Sequence, residues 1–190
     1  MMAYDLGVLY WFGSLHTPWL DAIVHGVTRL GNVVELGWIT VALVLGLFWL
    51  KQRRFALGLA LVALVAFGVQ MGVKALVQRP RPDVAWRQIR LPDEPSFPSG
   101  HATCSMAIYT AAGILYGRRL GRRWLGMAGV FLGLAIGLTR PYLGVHYPLD
   151  VTIGWLGGLG VALVGTAAYL AARNASTSSR VGNAPVPPAG

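Results

Sequence analysis

His146 and Asp150 stand four residues apart in the run Thr139-Arg140-Pro141-Tyr142-Leu143-Gly144-Val145-His146-Tyr147-Pro148-Leu149-Asp150. Residues four apart meet on one helix face, and Pro148 marks a first helical turn. An aspartate so placed can hold one imidazole nitrogen and stabilise a positive ring, leaving the other nitrogen free to attack. Arg140 offers a planar fork that matches a pair of phosphate oxygens. The plainer alternative makes Asp150 a helix cap and His146 a polar loop residue.

Two further clusters carry the same chemistry. Phe97-Pro98-Ser99-Gly100-His101 opens an apolar stretch. Ser99 is a natural helix N-cap, and Gly100 lets the backbone approach a ligand closely. The free N–H groups and dipole at such a helix start attract anions, with His101 beside them. Lys74-Ala75-Leu76-Val77-Gln78-Arg79-Pro80-Arg81-Pro82 closes the preceding apolar stretch. Lys74 needs water, a partner or a ligand there; snorkelling to the interface is the bland alternative. Pro80 and Pro82 end the helix, so Arg81 begins a rigid loop. Taken together, the clusters put three cations, two histidines and one aspartate at the ends of apolar segments on one side.

The rest of the chain must position these groups. Of its 190 residues, 55% are hydrophobic and 12% charged, and the mean hydropathy is +0.55. That is too apolar for an ordinary soluble domain. Five stretches, near 33–50, 55–78, 100–117, 122–139 and 148–172, approach the roughly 20 residues that cross about 30 Å of hydrocarbon. The expected fold is an all-α polytopic membrane bundle of five transmembrane helices. Tyr4–Leu15 and Trp19–Leu30 mix Tyr10, Trp11 and Trp19 with Asp5, Asp21, His25 and Arg29. They read as interfacial or re-entrant helices; the alternative is a sixth, Pro-kinked span around Pro18. Residues 1–173 form one membrane-embedded domain, and the polar, Pro-rich stretch 174–190 is expected to be disordered.

Charge placement orients the bundle. Lysines and arginines outnumber acidic residues 16 to 7. Lys51, Arg53 and Arg54, then Arg118, Arg119, Arg122 and Arg123, then Arg173 fall on one side, which is therefore cytoplasmic. The net charge of +9 needs no nucleic acid, and no nucleic-acid-binding signature is present. Loop 79–99 and connection 140–147 are then extracytoplasmic. That loop also keeps Arg79, Arg81, Arg87 and Arg90, against the trend. Gly129, Gly133 and Gly137 make a small-residue face for close helix packing. The single Cys104 excludes an internal disulfide, and no zinc spacing occurs.

The three clusters resemble the motifs of the type 2 phosphatidic acid phosphatase family, which shares its core with vanadium-dependent haloperoxidases and bacterial acid phosphatases. Lys74 with Arg81-Pro82 matches the first motif, and Pro98-Ser99-Gly100-His101 the second. Arg140, His146 and Asp150 match the third, with Thr139 where the family has serine. The resemblance implies that His146 is the nucleophile, that Asp150 orients it, and that His101 protonates the leaving group. It implies that Lys74, Arg81, Arg140, the Ser99 hydroxyl and the Gly100 amide hold the phosphoryl oxygens, with no metal and no cofactor. It also implies a lipid phosphate or diphosphate as substrate, undecaprenyl diphosphate first, with phosphatidic acid or phosphatidylglycerol phosphate as alternatives. It implies a bacterial plasma membrane as the setting. A haloperoxidase, a phosphate-lipid transporter and a silent scaffold are the competing classes. Only Arg81 has the family's spacing from Lys74, so Arg81 is expected to matter more than Arg79.

Overall fold

The computed structural model describes residues 2–90 and 93–182, with side chains over 5–90 and 93–171. Regular structure among the described residues is helical: α1 (Met2–Gly13), α2 (Pro18–Arg29), α3 (Val33–Trp49), α4 (Arg53–Val77), α5 (Gly100–Leu120), α6 (Trp124–Tyr142) and α7 (Pro148–Gly182). Local chemistry sets the ends. Pro18 and Pro148 open α2 and α7, where the missing N–H has no helical partner to lose. Ser99 caps α5 by accepting from the Ala102 amide. Gly121 closes it at φ 69°, a left-handed conformation that glycine enters without a Cβ clash. α4 stops at Gln78, just before Pro80.

α5 is the axis of the bundle and packs against α4, α6 and α7. Every residue from Ala102 to Ala112 is buried. The small-residue face of α6 allows this. A Cβ on Gly129 would run into the Tyr109 carbonyl, one on Gly133 would meet Met106 Cα at 2.8 Å, and one on Gly137 would enter the Trp155 indole. Gly129→Ala therefore forces α5 and α6 apart. Overpacking of this kind costs about 1–3 kcal/mol, so the melting temperature in detergent should fall. An unchanged melt would contradict the packing.

The outside of the bundle is apolar. Trp38, Leu64, Phe131, Leu156 and Val164, from α3, α4, α6 and α7, are 63–71% exposed, as suits lipid contact. Among the described residues, three helices are long and apolar enough to cross a membrane: Arg53–Val77, Trp124–Tyr142 and Pro148–Ala171. The α2–α3 pair, bent by 55°, adds a fourth if taken as one span. The chain is thus an all-helical integral membrane protein. The expected span near 100–117 is not among these because α5 faces protein on all sides. Its Thr103, Ser105 and Thr110 are buried against other helices, so its hydropathy does not report lipid contact.

Two boundaries differ from expectation. α6 runs to Tyr142, so Arg140 sits on its last turn rather than in the connection expected over 140–147. The turn holds because Leu143 N donates to Thr139 O at 2.9 Å and Val145 N to Arg140 O at 3.2 Å. The backbone of α7 is helical to Gly182. The segment read as a tail from Asn174 falls partly on this helix, and residues 183–190 lie outside the described residues.

Candidate active site

Chain direction brings the C-terminal ends of α4 and α6 and the N-terminal ends of α5 and α7 to one end of the bundle. The basic turns between α3 and α4 and between α5 and α6 lie at the other. Arg81 ties the two connections together: its Nη1 donates to Val145 O at 3.0 Å and its Nε to Glu94 O at 2.8 Å. Ser99 N donates to Asp150 O at 3.0 Å, which docks the start of α5 on the start of α7.

His146 is 2% exposed. Its Nδ1 lies 3.5 Å from Asp150 Oδ2, and its Nε2 lies 3.1 Å from Arg81 Nη1. A guanidinium only donates. Nε2 must therefore carry the lone pair and Nδ1 the hydrogen, the tautomer a nucleophilic Nε2 requires. Burial pushes the ring's pKa down to about 3; the Asp150 hydrogen bond opposes this, while Arg140 and Arg81 reinforce it. The imidazole is neutral at physiological pH. Asp150 is fully buried and also accepts from Ser96 Oγ and, at 3.0 Å, from Tyr147 N.

A cavity of about 550 Å³ is lined by Arg81 but not by His146, which reaches it through the Arg81 guanidinium 3.1 Å from Nε2. Lys74, Arg81, Arg140, Gly100 and His101 all line it. Lys74 is buried, and its Nζ donates to Pro95 O at 2.8 Å and meets Glu94 Oε2 at 3.2 Å. A partner and a ligand-facing position, rather than snorkelling, account for it. Arg140 donates from Nη1 to Thr28 Oγ1 at 2.7 Å, while its buried Nε has no protein partner. Thr139 and Thr28 share a hydrogen bond at 3.0 Å, so the hydroxyl at this position braces the residue that holds Arg140. Ser99 is not part of the lining. It is fully buried, and its hydroxyl is the cap of α5.

His101 Nε2 lies 2.9 Å from Asn32 Oδ1, and Asn32 Nδ2 donates to Glu35 Oε1 at 3.1 Å. A carboxylate only accepts, which fixes the amide's orientation and places a hydrogen on His101 Nε2. Asn32, Thr28, Ser96 and Gln70 have no mark in the sequence. Buried Gln70 also lines the cavity, with Oε1 unpaired. Arg79, left open by its sequence, does not line the cavity; both its terminal nitrogens bind carboxylates, Asp150 Oδ1 at 2.5 Å and Asp5 Oδ2 at 2.7 Å. Burial lowers its pKa, but Asp5 and Asp150 outweigh that, so the net shift is upward. Arg87 pairs with Asp83 at 3.0 Å and braces the loop through Pro82 O.

Comparisons with known proteins show the family and the fold. Decaprenylphosphoryl-5-phosphoribose phosphatase of Mycobacterium tuberculosis is 35% identical over 72% of this chain and 73% of its own length. The undecaprenyl-diphosphatase BcrC of Bacillus subtilis is 30% identical over 80% of this chain and 74% of its own. The crystal structure of a transmembrane PAP2-type phosphatidylglycerolphosphate phosphatase from Bacillus subtilis shares the fold at a TM-score of 0.81, covering 87% of this chain and 84% of that one at 23% identity. The PAP2 superfamily model matches residues 54–174. That segment contains Lys74, Arg81, His101, Arg140, His146 and Asp150, and the chain belongs to the PAP2 superfamily.

Proposed function

We propose that this membrane phosphatase removes phosphate from a polyprenyl-linked phosphate or diphosphate at the extracytoplasmic face, through a phosphohistidine on His146 and without a metal. One observation carries the reading. The cavity is lined both by three cations and His101 and by Val33, Leu36, Ala63, Phe67 and Ile108 from α3, α4 and α5. A phosphate can sit among the cations while its lipid tail stays in apolar surroundings.

The chemistry follows from the contacts. Nε2 of neutral His146 attacks phosphorus. The bond to the leaving oxygen breaks, and that oxygen takes the Nδ1 proton of a doubly protonated His101, whose Nε2–H stays on Asn32 Oδ1. Asp150 stabilises the imidazolium through Nδ1–H. His101 then takes a proton from water as its oxygen attacks phosphorus. The phosphorus–nitrogen bond breaks, its electron pair returns to Nε2, and phosphate leaves. Charge spread over three phosphoryl oxygens in the transition state is met by Lys74, Arg81, Arg140 and the start of α5. Ser99 acts by holding that helix start, with its hydroxyl engaged as the cap.

Five crossings by α3–α7, within one domain over residues 1–173, put the basic turns inside and the site outside. Undecaprenyl diphosphate is the first substrate, supported by the resemblance and by the relative named for it. A second reading, a polyprenyl-phosphoryl phosphoribose, is supported by the 35% identical relative. The test is phosphate release by purified protein in detergent with EDTA from these two lipids, phosphatidic acid and phosphatidylglycerol phosphate. EDTA-resistant release from a polyprenyl lipid, exceeding that from the glycerolipids, is expected. Lipid movement without phosphate release would favour a transporter.

Glu94, 57% exposed, holds Lys74 at 3.2 Å and competes with a substrate phosphate for it. Glu94→Gln should lower KM about two- to fivefold with kcat unchanged, since such partly exposed pairs hold up to about 1 kcal/mol. A raised KM would mean that Glu94 assists binding.

A further inference from the structure

Asp5 is a buried carboxylate on the N-terminal helix, outside the segment that matches the family model. A buried charge of this kind needs compensation. Its Oδ1 accepts from Leu149 N at 2.9 Å, in the first turn of α7, and its Oδ2 binds Arg79 Nη2 at 2.7 Å. Arg79 Nη1 reaches Asp150 Oδ1 at 2.5 Å, and its guanidinium carbon lies 4.0 Å over the Tyr147 ring. Asp150 thus has one oxygen held by Arg79. The other is left for Ser96, Tyr147 N and the Nδ1 side of His146.

Carboxylate rotation is the freedom that matters here. If Oδ1 were free, Asp150 could turn about its terminal bond and leave Nδ1. Arg79 prevents that only if it is itself fixed, and Asp5 and Tyr147 fix it from two sides. We infer that Asp5 and Arg79 are positioning residues for the reaction: α1 acts as a clamp that sets Asp150, and through it His146, in the attacking orientation. The inference rests on the phosphatase reading above and adds to it a role for a helix outside the matched segment.

The test uses the full-length protein in detergent with the best lipid substrate. Variants are Asp5→Asn, which keeps the shape, Asp5→Glu, Arg79→Gln, Arg79→Lys and the double Asp5→Asn/Arg79→Gln. Kinetics and melting temperature are read on each. Misplacement by about an ångström costs up to about 100-fold in rate. Arg79→Gln should lower kcat by about that factor and Asp5→Asn by about tenfold, with KM held within about twofold because neither residue lines the cavity. Asp5→Asn should add little to Arg79→Gln, and Asp5→Glu and Arg79→Lys should recover part of the loss. Full kcat in a folded Asp5→Asn protein overturns the inference. So does a loss carried by KM, which would make Arg79 a substrate ligand, or one that tracks the melting temperature alone. If Arg79→Gln fails to fold, the Asp5 variants decide. Wild-type release that is lost in His146→Ala but intact in Asp5→Asn refutes the clamp alone. No release by wild type refutes the phosphatase reading, and the clamp with it.

Discussion

Replacing His146 with alanine removes phosphate release, by at least about 10⁴-fold, while the protein still folds. Loss of a nucleophile usually costs rate factors of that order or more. The fold should survive because Asp150 is not left as an unpaired buried charge. It keeps Arg79 at 2.5 Å, Tyr147 N at 3.0 Å and the Ser96 hydroxyl. The deletion falls in the connection between α6 and α7, outside the helices themselves. Release by purified variant and wild type, with melts of both, is the check. Substantial residual hydrolysis by folded His146→Ala protein would mean that another group or a water attacks phosphorus.

Arg81→Ala should lower kcat/KM by about 10³-fold, near the upper range for removing one donor to a developing anion. Arg81 lines the cavity, and its Nη1 stands 3.1 Å from His146 Nε2. A phosphoryl group that reaches Nε2 must come within reach of the same guanidinium. Both KM and kcat should suffer, because the contact forms with substrate and strengthens as charge spreads over the oxygens. Arg79→Ala should cost less activity per folded molecule, since both terminal nitrogens of Arg79 serve Asp5 and Asp150. Its cost falls more on stability, with two buried carboxylates losing their cation. Equal or reversed effects on kcat/KM would move the phosphate-binding role to Arg79.

Much of the site was legible because its residues carry their chemistry in type and spacing. His146 and Asp150, Lys74 and Arg81, and the Ser99-Gly100-His101 turn each combine a charged or titratable group with a helix boundary that proline, serine or glycine marks. The structure brings Lys74, Arg81, Gly100, His101 and Arg140 to one cavity, with His146 against Arg81 and Asp150 against His146. The supporting residues were not legible. Asn32 and Thr28 come from the α2–α3 region, and their roles arise only when those helices dock beside α5 and α6. Ser96 sits in a loop with nothing local to mark it. Asp5 gave a weak signal, as an acid in a short apolar helix, but its partner is 74 residues away in sequence.

The fold was readable to the same depth. Apolar stretches, prolines and glycines located the helices, and the Gly129-Gly133-Gly137 stripe located a contact. Hydropathy counted α5 as one span among others, whereas its polar residues mark it as the protein-facing axis. The expected span stopped at 139, three residues short of Tyr142, because Arg140 and Pro141 interrupt the apolar run. Proline lacks only its own N–H, and the carbonyls of Thr139 and Arg140 are satisfied by the residues that follow.

The central claim is a covalent phosphohistidine on His146. The direct measurement is to quench wild-type protein in alkali during turnover of its preferred lipid, where phosphohistidine survives, and to map the phosphorylated peptide by mass spectrometry. The account predicts an adduct on His146 that forms before phosphate appears, is absent in His146→Ala and accumulates when reaction with water is slowed. Rapid hydrolysis with no adduct at any time, or an adduct on His101 instead, would contradict it.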